Sequence, residues 1–299
     1  MAATHADAHV PAGPLLRVRR QRAARELPIR AVPTRRRTVR ASMSRALGPI
    51  LTTASSCCQS SSATHPGRRR TNEDACCADD ASGLFVVADG LGGYDGGEIA
   101  SRIVVETLSE QLADHAPIRA RTHPLDDAAF ACLQLDHAIR VAHRRICARQ
   151  SGRIAEMGST VAALLLGRTY VVIAHVGDSR VYRWRNGRIE RMTRDHTFAE
   201  SGAGSLPLAA NGGVPPSPHM LTRALGVDGQ SVADGRVEMI EPGDRYLILS
   251  DGVLDVLTDE AIEDRARREP IAVLAAALVN ASLAAGTRDN VTAVCVELA

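Results

Sequence analysis

The sequence predicts an α+β layered domain, on three observations. Apolar strand-like runs come in groups instead of alternating one by one with helices. Two pairs of helical patterns flank those groups. Asn186-Gly187 separates two short strand-like runs, the signature of an antiparallel hairpin.

Taken in order, the body begins with a buried strand over 84–88, whose five residues are apolar throughout. Residues 98–114 carry Ile99, Ile103, Leu108 and Leu112 at near-helical spacing, and 126–149 repeat the pattern with Leu135, Ile139, Ala142 and Ile146. His143, Arg144 and Arg145 suit the C-terminal end of that second helix. An antiparallel meander follows over 160–166, 170–176, 180–184 and 188–192. Residues 200–218, rich in Gly, Pro, Ser and Ala, read as a mobile loop. Short strands are expected over 221–225 and 237–240, then one over 245–250. Helices follow over 259–268, acidic at its start and basic at its end, and from Pro270 onward. Residues 291–298 close the chain as a strand.

Composition narrows the function. Aromatics are only 3%, so Ala, Val, Leu and Ile must build the core, and all 36 formal positive charges are arginine. Residues 1–50 hold eleven arginines against Asp7 and Glu26, a net +9; the remaining 249 residues therefore carry −7 of the total +2. An acidic body is a poor nucleic-acid binder. Seven cysteines, with no Cys-x-x-Cys and no zinc spacing, read as reduced packing thiols and favour a cytoplasmic setting. No apolar run reaches the ~18 residues of a membrane span. Residues 1–60 read as a disordered, Arg-rich extension preceding a folded domain over 61–299, with Met43 as an alternative start.

The chemistry lies at element boundaries. Glu73-Asp74, Asp89, Asp251 and Asp289 all stand there, and Asp89 and Asp251 share one grammar, an apolar strand followed by Asp-Gly. Carboxylates without His or Cys suit Mg²⁺ or Mn²⁺. Two such ions about 3.5–4 Å apart share a water and acidify it. An arginine fork grips phosphate, and Arg68-Arg69-Arg70 directly precedes Glu73-Asp74. Metal-assisted phosphate-ester hydrolysis fits that assembly.

From about Thr64 onward the chain resembles the metal-dependent serine/threonine protein phosphatases of type 2C, in the bacterial form. The resemblance rests on ordered motifs: His65-Pro66-Gly67 leading to Asn72-Glu73-Asp74; Val87-Ala88-Asp89-Gly90-Leu91-Gly92-Gly93; Gly158-Ser159-Thr160; Val176-Gly177-Asp178-Ser179-Arg180. It continues through Thr193-Arg194-Asp195-His196, Leu221 to Gly226, Leu249-Ser250-Asp251-Gly252 and Thr287-Arg288-Asp289-Asn290. It implies a four-layer α-β-β-α sandwich of two central antiparallel sheets flanked by helix pairs, with 200–218 as the variable flap. It also implies two Mn²⁺ or Mg²⁺ ions. Asp89 would bridge them, with the Gly90 carbonyl on one, Asp251 and Asp289 on the first, and Glu73 and Asp74 serving the second. Asp178 would join Asp251 at a third, weaker ion. The family arginine falls on Arg69 counting back from Asn72 and on Arg70 counting forward from Gly67, because this spacing is one residue short; Arg69 is preferred. Arg69 and Asp89 are thus the expected catalytic residues.

Some members of the family carry a histidine, proposed as the general acid, where this chain has Leu91. His196 is expected in a structural turn with Asp195, Arg180 and Arg223 in structural ion pairs, and Ser179 lacks a base that would make it a nucleophile. The expected activity is hydrolysis of phosphoserine and phosphothreonine in proteins by a water bridging two metal ions, opposing Ser/Thr kinases, in a cytoplasmic monomer. The alternatives are a phosphatase of anti-sigma-factor antagonists, a phosphoprotein-binding pseudo-phosphatase, or a role for the Arg-rich tail at a nucleic acid or membrane.

Overall fold

A computed structural model describes residues 58–92, 96–113, 124–201, 217–227 and 232–299. The Arg-rich extension through residue 57, Met43, Gly93 and most of the expected flap lie outside the described residues.

Two antiparallel sheets stack face to face. One runs β1–β11–β10–β7–β8, built from Cys58–His65 (β1), Arg180–Arg185 (β7), Arg188–Arg191 (β8), Arg245–Leu249 (β10) and Val291–Leu298 (β11). The other runs β2–β3–β5–β6–β9, built from Asp74–Asp79 (β2), Leu84–Leu91 (β3), Val161–Leu166 (β5), Tyr170–Val176 (β6) and Asp234–Met239 (β9), with the short Gly158–Ser159 (β4) paired to β3. Helices Gly96–Leu112 (α1) and Pro124–Arg149 (α2) cover the second sheet. Asp251–Leu254 (α3), Asp259–Arg268 (α4) and Ile271–Ala284 (α5) lie on the first.

The period-two geometry of a strand explains why the central runs are apolar throughout. In β3, Phe85 and Val87 enter the inter-sheet core with Ala162, Leu164, Val171 and Ile173, against Val181, Tyr246, Ile248, Val294 and Val296 of the other sheet. Leu84, Val86 and Ala88 face the opposite way, onto Val104 and Leu108 of α1 and Leu135 and Ile139 of α2. The first sheet repeats the logic: Leu247, Leu249, Ala293 and Cys295 pack on Ile262, Leu274 and Leu278. Three apolar layers thus separate four layers of structure, the expected sandwich.

Local signals are satisfied where they were strongest. Asn186 and Gly187 both have positive φ, at 53° and 82°, as a type I′ turn requires. Thr258 caps α4 by accepting from the Ala261 N–H, with Asp259 and Glu260 in the first turn and Arg265, Arg267 and Arg268 in the last. Three expectations need correction. β1 begins at Cys58, so the fold starts before residue 61. Residues 221–225 make isolated bridges, Leu221 to Thr197 and Leu225 to Ser159, and no strand. The strand expected over 245–250 ends at Leu249, and Asp251-Gly252 opens the single turn of α3. Among the described residues, no helix is long and apolar enough to cross a membrane, and the six described cysteines are unbridged.

Candidate active site

Strand register brings the acidic residues to one end of the sandwich. Asp74 opens β2 and is the direct cross-strand partner of Asp89 near the end of β3. His65, closing β1, pairs with Val291, opening β11, so Asp289 lies just before that strand. β10 pairs with β11 through Leu249 and Ala293, which delivers Asp251 to the same end. β6 ends at Val176, two residues before Asp178.

A cavity of about 500 Å³ opens there, lined by Arg69, Glu73, Asp89, Asp178, Asp251 and Asp289, with Gly90 and Leu91 in its wall. Seven of the nine expected site residues line it together. Asp74 and Arg70 do not. Asp74 is buried behind the cavity, where Oδ2 accepts from the Ser250 and Thr292 hydroxyls at 3.0 and 2.6 Å. Of the two candidate arginines, Arg69 is the one the fold brings in: its guanidinium donates to Asp289 Oδ2 at 2.6 Å. That contact, with lesser attraction from Glu73 and Asp251, holds the Arg69 pKa above its ordinary value.

The supports explain the placement. Asp89 is fixed from its backbone: its N–H donates to Thr160 Oγ1 at 3.0 Å, and its carbonyl accepts from the Thr160 N–H at 2.8 Å. A side chain at Gly90 would stand 2.1 Å from the Gly97 carbonyl oxygen and 2.7 Å from that of Glu73, so only glycine lets β3, α1 and the Glu73 loop meet. Asn290 ties the arginine loop to β11. Its side-chain amide donates to the carbonyls of Pro66 and Thr71, and its Oδ1 accepts from the Glu73 N–H at 2.8 Å.

Gly177 is clamped by His196 from both sides. The Gly177 N–H donates to His196 Nδ1 at 3.0 Å, and the His196 N–H donates to the Gly177 carbonyl at 2.9 Å. With φ at +107° and Thr160 pressed against it, Gly177 aims Asp178 into the cavity. The far ring nitrogen of His196 reaches Asp234, which Arg223 grips with two N–H groups. Arg180 forks onto Asp195, so His196, Arg180 and Arg223 are structural, as expected. Ser179 is buried, with its hydroxyl on Thr160 Oγ1 at 2.8 Å, in no position to attack a substrate.

Electrostatics shows what the cluster suits. Loss of hydration, then repulsion from Asp74, Asp251 and Asp178, raises the Asp89 pKa well above the carboxylate range. Burial and Asp251 lift Asp178 to about 7. Asp74 rises to about 7 and Asp251 to about 6, mainly through burial. Interaction between the two side chains raises the pKa of Asp89 and lowers that of Asp251. Oδ1 of Asp74 and Oδ1 of Asp251 are buried without a hydrogen-bond partner among the described residues. Oxygen-only donors, mutual repulsion and idle buried oxygens fit hard divalent cations.

The cavity also takes in His219, which no sequence signal placed, and Leu221. His219 and Leu221 line it because the 197–201 and 217–222 segments pair: Phe198 N–H with the Met220 carbonyl, Ala199 N–H with the Pro218 carbonyl, and Thr222 N–H with the His196 carbonyl.

Comparison with known proteins gives the family. Residues 63–285 match the family model described as Protein phosphatase 2C. The serine/threonine protein phosphatase PstP of Mycobacterium tuberculosis is 31% identical over 226 residues, covering 72% of this chain and 40% of PstP, so the chain spans well under half of that relative. The serine/threonine phosphatase stp of Listeria monocytogenes is 29% identical, covering 73% of this chain and 85% of its own length. The catalytic domain of PstP, solved in complex with two manganese ions, superposes with a TM-score of 0.68 at 28% identity, covering 81% of this chain and 98% of that one. The PPM Ser-Thr phosphatase MsPP from Mycobacterium smegmatis, in complex with cacodylate, gives 0.65 at 30%, with the same coverage. The chain belongs to the protein phosphatase 2C family.

Proposed function

We propose that this protein hydrolyses phosphoserine and phosphothreonine in proteins with the help of Mn²⁺ or Mg²⁺, opposing Ser/Thr kinases. The observation that carries the reading is the convergence of Arg69 with Glu73, Asp89, Asp178, Asp251 and Asp289 on one open cavity. Asp89, the Gly90 carbonyl, Asp251 and Asp289 would hold two cations with Glu73 and with Asp74 behind them, and Asp178 with Asp251 a third, weaker one. When bound, the ions supply Lewis acidity and an acidified water.

The chain's own residues do the rest. Arg69 uses one of its five N–H groups on Asp289, which leaves others to take phosphate oxygens and orient phosphorus. The Thr160 and Asn290 supports hold Asp89 and the arginine loop in fixed relation, so little reorganisation accompanies binding. Leu91 lends the wall an apolar surface and no proton.

The test is phosphate release from a phosphothreonine peptide with Mn²⁺ and with excess chelator, in wild type, Asp89→Asn and Asp251→Asn. Metal-dependent release that falls at least about 10²-fold in both variants supports the reading. Wild-type protein that is folded and inactive with both Mn²⁺ and Mg²⁺ overturns it.

A further inference from the structure

Hydrolysis of a serine or threonine phosphate expels an alkoxide, a poor leaving group unless protonated as it departs. The cavity wall offers few donors. Leu91 has no proton to give, and the Arg69 guanidinium, held by Asp289, keeps its own. The Thr160 hydroxyl is committed between the Asp89 N–H and Ser179, and the Asn290 amide to the Pro66 and Thr71 carbonyls. The carboxylates are anionic once they hold cations. His219 is left, lining the same cavity as Leu91 and Asp89.

His219 sits on ordered backbone. The carbonyl before it, of Pro218, accepts from Ala199 at 3.0 Å, and the carbonyl after it, of Met220, accepts from Phe198 at 2.8 Å. The Met220 N–H closes a turn onto Ser217 at 2.9 Å. Two residues further on, Leu221 also lines the cavity. An imidazole carried on paired segments, lining the same cavity as the carboxylates and exposed to solvent, can deliver a proton and recover it from bulk water.

We infer that His219 is the general acid of this enzyme, doing from the base of the flap what Leu91 cannot do. The inference rests on the phosphatase reading above. Water adds its oxygen to phosphorus and gives one proton to solvent, the other staying on the phosphate released. The bond from phosphorus to the serine or threonine oxygen breaks, its electron pair staying on that oxygen. Imidazolium at His219 passes one proton to the same oxygen, so a neutral hydroxyl leaves, and the ring is reprotonated from solvent.

The experiment varies the leaving group. Wild type, His219→Gln and His219→Asn are compared on a phosphothreonine peptide and on p-nitrophenyl phosphate, whose phenolate departs without a proton. Because His219 is exposed, these changes leave the core intact, and melting curves verify it. The expected result is a kcat loss of about 10²-fold or more on the peptide and a far smaller loss on the aryl ester. Equal losses on both substrates, or none on the peptide, would overturn the assignment. Wild type inactive on both esters with either metal would remove the phosphatase reading, and this role with it.

Discussion

In the metal-free protein, Asp178 sets a pH-dependent cost on folding. Folded, it keeps its proton to about pH 7, because burial and the neighbouring Asp251 and Asp195 disfavour its charge. Unfolded, it releases the proton near the ordinary carboxylate value of about 4. Between those limits the unfolded chain binds fewer protons, so stability falls as pH rises, by about 1.4 kcal/mol per unit. From pH 5 to pH 8 the loss is roughly 3 kcal/mol, complete once the folded pKa is passed. Asp178→Asn mimics the protonated form and removes this contribution, while Asp74, Asp89 and Asp251, also raised, contribute in both proteins. His175 and His196, whose pKa values burial lowers, act in the opposite direction below about pH 6.5, but they are present in both proteins and cancel. Thermal melts with excess chelator should therefore show the two proteins close together at pH 5 and the variant higher at pH 8, by roughly 5–10 °C for a domain of this size. Saturating Mn²⁺ should erase the trend, since the cation takes the proton's place. A difference between wild type and variant that does not change with pH in chelator would refute the reasoning.

Other expectations follow from single contacts. Arg69→Ala should raise KM for a phosphopeptide roughly tenfold or more, the value of charge-assisted hydrogen bonds to phosphate, while Arg70→Ala stays within about twofold; steady-state kinetics decides. His196→Ala leaves the buried Gly177 N–H without its acceptor and should cost about 1–3 kcal/mol in urea denaturation. It should also weaken metal activation, because Gly177 aims Asp178. Arg185→Ala strips the guanidinium that forks onto Asp244, which is 1% exposed, and should cost about 3–5 kcal/mol. Adding Asp244→Asn to that variant should recover part of the loss.

What could be read from the sequence followed the physics of each element. The strands over 84–88, 161–166 and 170–176 are covered on both faces, so they are apolar except at His175 and conspicuous. β1 and β2 were invisible because CQSSSATH and DACCAD carry little apolar pattern; their pairing with β11 and β3 makes them strands. β9, mostly exposed at a sheet edge, was only half placed for the same reason. Helical periodicity put the start of α1 at Glu98, but the helix already includes Gly96 and Gly97, and Gly97 packs closely on Glu73 and Gly90, which apolar spacing does not register. Asp89 and Asp251 announced themselves as acids ending apolar runs. His219 gave no such signal: it follows a loop-like segment and reaches the cavity only through pairing with residues 198–199.

The short spacing between Gly67 and Asn72 pointed to Arg69 counting back and to Arg70 counting forward, with Arg69 preferred, and the structure explains why the two counts disagree. The turn that presents the arginine closes on itself, with the Arg69 N–H on the Pro66 carbonyl at 3.0 Å. Both ends of that loop are then held by one side chain, since Asn290 donates to the Pro66 and Thr71 carbonyls and accepts from Glu73. Asn290 is itself adjacent to Asp289, the carboxylate that Arg69 meets. Arginine, loop and carboxylate are therefore referenced to β11 and not to the number of residues between two motifs.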